Sequence, residues 1–522
     1  MLNKLRERFN LAIYDTKRNV LGTLQILSFL VSVTAILTLI YYYGFPNSPE
    51  TNSNLLLIIK SSFAFYIFRY FARFFYSFKP LVFIKENWFE SILMNLLLID
   101  GIGDVFFGIT LEQKLFEQLG LYSFTHFYFL FIQLYILIIV GFEIGKGTAL
   151  LPRLKLNPAL MFMLSFVIII GMGTGLLMLP EMTTLPGSMS FIDALFTSTS
   201  ASSVTGLIVV DTATYFTPKG HFIIMALIKL GGLNIIAFAG FFALASKFGI
   251  GIKQHSVIED FVSKDSLFSS KGLLGQIIIW SFAIEILGAI LMYFSWSDLV
   301  QFSNLPEKIF SSIFHSFSAF NNAGFALFSN SLISYQADIS INLIVTILIV
   351  LGSIGFFVFQ DAWDNFTGRR FRFQTHTKLV VVVTLVLLVS GTLGITILEW
   401  NNDRTFASLD LGERLAVAHF HTVSRTAGFT TLDIGNMQDA TLYFLLLLMA
   451  IGGSPGSMSG GIKTTTFAII WLTIWSVANI IKSMRGCTTI VFNPVNAAPS
   501  AMPVVLFSDT GVSKILSFPN WC

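Results

Sequence analysis

Apolar runs close to twenty residues long, separated by short polar stretches, recur along most of this chain. Four come first, at residues 21–43, 55–78, 91–109 and 126–144. Each is near the roughly 20 residues that a helix needs to cross a bilayer. From residue 152 the pattern changes to a repeat, in which a long apolar run is followed by a shorter, hydroxyl-rich segment and then a second long run. The runs are 159–179, 191–207 and 221–248, then 273–294, 309–325 and 341–359, then 378–398, 411–429 and 441 onward. The middle segments end alike: T-S-T-S-A-S-S-V-T-G-L at 197–207, H-S-F-S-A-F-N-N-A-G-F at 315–325 and H-F-H-T-V-S-R-T-A-G-F at 419–429. Their glycines, Gly206, Gly324 and Gly428, stand 118 and 104 residues apart, as expected of one unit repeated with variable links.

The pattern predicts an all-α polytopic membrane protein. Its parts are a basic N-terminus (1–19), a bundle of about four spanning helices (20–151), three helix–pore loop–helix units (152–250, 251–373 and 374–486) and an atypical tail (487–522). A short helix that enters the membrane and hands over to extended backbone is tolerated only where it lines a water-filled path. Main-chain carbonyls there can replace a cation's water shell without burying a full negative charge. The candidate ion-binding backbone is therefore Val204, Thr205 and Gly206, Asn322, Ala323 and Gly324, and Thr426, Ala427 and Gly428. Glycine allows the required dihedrals, and the C-terminal end of each short helix favours a cation. Hydroxyls of Ser198, Ser200, Ser203, Ser316, Ser318, Thr422 and Ser424 are expected to hold the loops' unpaired amides.

In the third unit the second long run is interrupted. Residues 442–451 are apolar, but Gly452-Gly453-Ser454-Pro455-Gly456-Ser457-Met458-Ser459-Gly460-Gly461 cannot continue a helix. The first piece is about half the length of a span, so the break at 452–462 is read as a plug beneath the filter rather than a plain connecting loop. The gate residues are Gly453, Ser454, Pro455, Gly456, Ser457, Gly460, Gly461 and Lys463.

Composition supports the membrane assignment: 54% of the 522 residues are hydrophobic and 12% charged, against about a quarter charged in soluble proteins. A net charge of +3 offers no basic face for nucleic acid. Two cysteines, Cys487 and Cys522, make no metal or disulfide framework. Lys and Arg gather in the links 247–271 and 361–378 and are absent from 181–193 and 326–338, so the links are cytoplasmic and the pore segments enter from outside. Lys60, Arg69, Arg73, Asp100 and Asp104 in the first bundle are read as paired or snorkelling charges, the alternative being a sensor module. His315, His419 and His421 are assigned hydrogen-bonding roles, and Gly231-Gly232 and the 352–355 glycines close helix contacts.

V-T-G-L at 204–207, A-F-N-N-A-G-F at 319–325, S-R-T-A-G-F at 424–429 and G-G-S-P-G-S-M-S-G-G-I-K-T-T-T at 452–466 together resemble the bacterial Trk/Ktr/HKT superfamily of potassium transporters, of the KtrB or TrkG/TrkH type. The likeness covers about residues 152–485. It implies potassium transport across the bacterial inner membrane by an ion-translocating subunit that is not an enzyme. It also implies four pore repeats, a filter glycine in each (here Gly206, Gly324 and Gly428) and an intramembrane gating loop. Glycine at the first of these positions goes with potassium selectivity in the family, and serine with sodium. The expected assembly is a homodimer on a ring of cytosolic nucleotide-binding subunits of the KtrA/TrkA type. No cofactor is expected; potassium is the transported ion, with sodium or proton coupling open.

After residue 481 no fourth pore pattern follows, and the tail carries Pro494, Pro499, Pro503 and Pro519. The chain is accordingly expected to lack the fourth unit, with a truncated, non-conducting protein or scaffold as the alternative function. An intramembrane enzyme is a further alternative, but the spanning runs offer it no paired acid, nucleophile or metal cluster.

Overall fold

The computed structural model describes residues 2–77, 80–86, 88–107, 158–247, 273–297, 302–336, 338–368, 372–407, 409–485, 507–509 and 512–514. The expected span at 126–144, the link 248–272, residues 369–371 and most of the tail lie outside the described residues. Of the tail, the described part is one hairpin, Phe507–Asp509 antiparallel to Val512–Lys514.

The N-terminal helices are α1 (Leu2–Gly44), α2 (Pro49–Phe75), α3 (Pro80–Glu86) and α4 (Trp88–Phe107). The basic N-terminus is helical, forming the first turns of α1 from Leu2 on, and the apolar span of that helix begins at Asn19. Ser48 caps α2 by accepting the Thr51 amide at 3.2 Å, with Pro49 at the first helical position. Tyr66, Tyr70, Leu93, Met94 and Leu97 form the core between α2 and α4. Of the charges in this bundle, Arg73 pairs with Glu90 at 3.1 Å.

Three units of common design follow. The first comprises outer helix α5 (Pro158–Leu177), pore helix α6 (Phe191–Ser202), a single turn α7 (Thr212–Tyr215) and inner helix α8 (Pro218–Lys247). In the second, outer helix α9 (Leu273–Ser295) leads to pore helix α10 (Leu305–Phe320), then α11 (Ile339–Ile354) and α12 (Phe356–Phe366). The third runs through α13 (Thr375–Glu399), α14 (Leu411–Ser424), α15 (Asp439–Ala450) and α16 (Thr464–Arg485). Among the described residues six helices are long and apolar enough to cross a membrane, and the bent pair α11–α12 makes up to seven.

The same small-residue contact joins outer, pore and inner helices in every unit. A Cβ on Gly173 would lie 2.3 Å from Ser198 Oγ and 2.7 Å from Leu227; on Gly288, 2.5 Å from Ser316 Oγ and 2.7 Å from Leu348; on Gly391, 2.3 Å from Thr422 and 3.2 Å from Leu448. Inner-helix glycines then admit the pore-helix ends, Gly231 against the Ser202 carbonyl and Gly352 against that of Phe320. Small residues permit such close backbone approach between spanning helices.

The second inner helix differs from the expected single run over 341–359. It breaks at Gly355, whose φ is 90°, and α12 leaves α11 at 95°. The Phe356 amide, which in a continuous helix would donate to Gly352, donates instead to Gly456 in the distant third unit at 3.0 Å.

Candidate functional site

Each pore helix starts from a polar cap followed three residues later by an acid. Ser190 accepts from the Asp193 amide at 3.1 Å, Asn304 from that of Glu307 at 2.9 Å and Asp410 from that of Glu413 at 2.7 Å. Asp410 and Glu413 form a complete capping box. These caps fix the outer ends of the pore helices, and the inward ends are fixed by their turns.

In the first two units the turn closes identically. Thr205 N donates to Ser200 O and Ala323 N to Ser318 O, both at 2.8 Å, while Val204 N reaches Ala201 O at 3.2 Å and Asn322 N reaches Ala319 O at 3.0 Å. This paired bonding is the Schellman arrangement. It puts Val204 (φ 58°) and Asn322 (φ 60°) in the left-handed region, at about 1–2 kcal/mol for a residue with a Cβ. The third unit is two residues tighter: Ala427 N and Gly428 N both donate to Ser424 O at 2.8 Å.

The filter glycines follow, all left-handed: Gly206 (φ 80°), Gly324 (φ 74°) and Gly428 (φ 86°). They sit next to one another. A Cβ on Gly206 would fall 2.2 Å from Ala323 O, and one on Gly324 2.0 Å from Ala427 O. The structure thus brings together Val204 to Gly206, Asn322 to Gly324 and Thr426 to Gly428 at the ends of three converging helices. Just past each glycine a hydroxyl takes the carbonyl: Ser200 donates to Leu207 O and Ser318 to Phe325 O, both at 2.7 Å, and Ser424 to Phe429 O at 2.5 Å. The expected hydroxyl–amide bonds are therefore corrected to hydroxyl–carbonyl bonds, because the helix carbonyls already hold the amides. Ser198 and Ser316 instead tie the pore helices to the outer helices through Ile170 O (2.8 Å) and Glu285 O (2.6 Å). Thr422 bonds within its own helix to Ala418 O, and Ser203 to Thr199 O.

The histidines serve as hydrogen-bond fixtures. His315 meets Ser311 O at 2.8 Å through Nδ1 and accepts the Leu327 amide at 3.2 Å through Nε2. His421 lies 3.4 Å from Thr431 Oγ1, and His419 3.4 Å from Thr392 Oγ1. On the outer side, Ser329 donates to Asp211 at 2.6 Å, joining units one and two, and Leu332 N donates to Thr430 O at 2.9 Å, joining two and three. Burial of the Asp211 carboxyl would raise its pKa, but hydrogen bonds from Ser329, Thr214 and the Ala213 amide, with His221 nearby, hold it below the ordinary 3.8.

Behind the filter lies the interrupted third inner helix. The loop is closed at its neck, where Gly452 N donates to Ile462 O at 2.9 Å, Ile462 N to Ala450 O at 3.0 Å and Thr464 N to Gly453 O at 3.0 Å. Its tip fills the break between α11 and α12. Ser454 N donates to Ser353 O at 2.9 Å and Met458 N to Gly352 O at 3.2 Å, while the Ser454 hydroxyl donates to Ile354 O. Ser454, Ser457, Met458 and Ser459 are buried. Pro455 and Gly456 (φ 75°) form the tip, Ser457 Oγ donates to Ser454 O at 2.6 Å, and Lys463 Nζ donates to Ser459 O at 2.6 Å. Gly460 and Gly461 are exposed. The filter is tied to the elements that flank the loop. Asn322 Oδ1 accepts from the hydroxyls of Ser353 on α11 and Thr426 of the third filter segment, both at 3.0 Å, and Arg425 Nη1 donates to the carbonyl of Ile451, the residue before the loop, at 2.5 Å.

Sequence reasoning missed three participants: the Asn322 side chain, Arg425 and a buried ion pair. Lys229 Nζ lies 2.7 Å from one Glu285 carboxylate oxygen and 2.8 Å from the other, between inner helix α8 and outer helix α9. A lone Lys and a lone Glu within apolar runs were the available signal.

A family model described as TrkH, cation transport protein, matches residues 154–487. The chain is similar to the Ktr system potassium uptake protein B of Bacillus subtilis, at 39% identity over 361 residues, covering 69% of this chain and 78% of that protein. The protein of the same name from Vibrio alginolyticus is 34% identical over 60% of this chain and 68% of its own length. The potassium/sodium uptake protein NtpJ of Enterococcus hirae is also 34% identical, over 61% of this chain and 69% of its length. A crystal structure of the potassium transporter TrkH from Vibrio parahaemolyticus aligns with 71% of this chain and 72% of that one, at 19% identity and a TM-score of 0.49.

Proposed function

The chain belongs to the TrkH family of cation transport proteins, and from that premise we propose that it is the ion-translocating subunit of a Ktr- or Trk-type potassium uptake system. It is a multi-pass protein of a bacterial membrane, a transporter and not an enzyme. The observation that carries the ion path is the contact series at the filter, where Gly206 faces the Ala323 carbonyl and Gly324 that of Ala427. Only a residue without a Cβ lets neighbouring carbonyls crowd this closely, and a ring of such carbonyls is what a dehydrated potassium ion needs. Val204 to Gly206, Asn322 to Gly324 and Thr426 to Gly428 are the proposed ion-binding backbone. The loop 452–462 is the proposed gate, supported by its burial behind the filter and its hydrogen bonds to the α11–α12 break.

As a Ktr-system membrane subunit it works with partners of that system. In the proposed assembly two copies sit on a cytosolic ring of nucleotide-binding subunits of the KtrA/TrkA type. Rubidium uptake into proteoliposomes holding this chain and its ring partner tests the function. Uptake that potassium inhibits far better than sodium is expected. No uptake above empty vesicles, or equal inhibition by both ions, would overturn it.

A further inference from the structure

We infer that the buried pair Lys229–Glu285 is a positioning device for the second filter segment, Asn322-Ala323-Gly324, and thereby helps set the preference for potassium over sodium. The inference rests on the filter reading above. Lys229 is 6% exposed and Glu285 0%. The ammonium also donates to the Ser281 hydroxyl and lies over the Phe282 ring at 4.2 Å. The carboxylate has a further donor, Asn321 Nδ2 at 2.7 Å, and Asn321 is the C-terminal cap of pore helix α10, one residue before the filter. Five residues earlier Ser316 Oγ donates to the backbone carbonyl of the same Glu285 at 2.6 Å. Glu285 therefore grips the last turns of α10 at two levels.

The repeat shows that helix packing alone does not require this charge. Ser198 bonds Ile170 O in the first unit as Ser316 bonds Glu285 O in the second. The contact glycines Gly173, Gly288 and Gly391 each stand three residues further on, which places Leu388 at the matching position of the third unit. Two units are thus built with Ile and Leu where the second has Glu. Burying an ion pair within a membrane span is unfavourable against an apolar pair of similar size, so a role beyond folding is indicated. The pair also crosses between units, since Lys229 comes from α8 of the first and Glu285 from α9 of the second. Gly232, one turn after Lys229, packs against Asn321, where an added Cβ would stand 2.2 Å from its Oδ1. A displaced Asn321 would move Ala323 O, the carbonyl that faces Gly206. That spacing is a determinant of which ion fits.

The test uses the full chain purified in detergent, comparing its melting temperature in potassium with that in sodium, alongside the rubidium uptake assay. Lys229→Met/Glu285→Leu removes both charges. It is expected to melt close to the parent in choline buffer, while the binding preference inferred from the potassium-minus-sodium shift falls at least about threefold. Asn321→Ala, which leaves the ion pair in place, is expected to lose the preference similarly. Added to the double variant, it should change nothing more. A folded double variant with the parental preference, or an Asn321→Ala variant with it, would overturn the inference. A parent that shows no potassium preference would sink the filter reading itself and this inference with it.

Discussion

Replacing each filter glycine by alanine separates backbone strain from packing, because the three positions share one conformation but not one neighbourhood. All have φ between 74° and 86°, so each alanine carries the left-handed penalty of about 1–2 kcal/mol. At Gly324 the new Cβ would also stand 2.0 Å from Ala427 O, and at Gly206 2.2 Å from Ala323 O. Both obstacles are main-chain atoms in a turn closed by hydrogen bonds, so neither can rotate away, and overpacking adds about 1–3 kcal/mol. At Gly428 the nearest atom to the added Cβ is Gly324 Cα at 3.8 Å, an ordinary contact. The expected order is therefore Gly324→Ala and Gly206→Ala, each destabilised by about 2–5 kcal/mol, followed by Gly428→Ala at about 1–2 kcal/mol. Denaturant unfolding of the purified variants in one detergent, followed by tryptophan fluorescence, reads the order. Gly428→Ala as damaging as Gly324→Ala would refute the claim that neighbouring carbonyls crowd these glycines.

Further outcomes follow from the same geometry. Gly206→Ser should narrow the gap between potassium and sodium as inhibitors of rubidium uptake, and an unchanged ratio would count against the first filter segment. Deleting Ser454 to Ser459 should raise flux and weaken its dependence on the regulatory ring, whereas a folded deletion variant with parental flux would make 452–462 a connecting loop. The Asp211 carboxyl is held below its ordinary value in the folded chain, so its contribution to stability is full above pH ~3.8 and fades as pH falls through the lower folded value. Asp211→Asn should abolish that acid-side component of the melting curve, and an unchanged pH profile would dismiss the Asp211–Ser329 link. Removing the partly exposed Arg73–Glu90 pair should cost no more than about 1 kcal/mol; a larger loss in the unfolding midpoint would show that it anchors the N-terminal bundle.

What could be seen in the sequence was whatever depends on nearby residues. Gly206, Gly324 and Gly428 stood out because a tight left-handed turn after a helix favours glycine, and each such turn is built within a few residues. The start of the second pore helix was also visible in principle. Asn304 followed by Glu307 is the same cap signature as Asp410 followed by Glu413, yet the apolar pattern alone placed the start four residues late, at 309 rather than Leu305. The break at Gly355 was hidden because the apolar run continues through it. What holds it open is the loop tip at Ser454 and Gly456, 100 residues away in the case of Ser454 and Ile354. The Lys229–Glu285 pair was hidden for the same reason, its partners being 56 residues apart on different units. The hydroxyls were recognised as loop supports, but which backbone group each would serve depended on the turn bonds having already claimed the amides.

The mutual filling of the α11–α12 break and the loop at 452–462 has a consequence for biogenesis. Synthesis delivers Gly352, Ser353, Ile354 and Phe356 to the membrane well before Ser454, Gly456 and Met458, the residues that supply their backbone partners. Over that interval the bent helix carries polar groups that hydrocarbon cannot satisfy. The nascent second unit must therefore either remain straight, with Phe356 bonded along its own helix, or be sheltered by the insertion machinery until the third unit arrives. In the first case the right-angled bend is a late event of assembly, completed from the C-terminal side, and a ribosome stalled between these two stretches would hold a chain in which the second inner helix has yet to bend; in the second it would hold a bent helix still in contact with the insertion machinery.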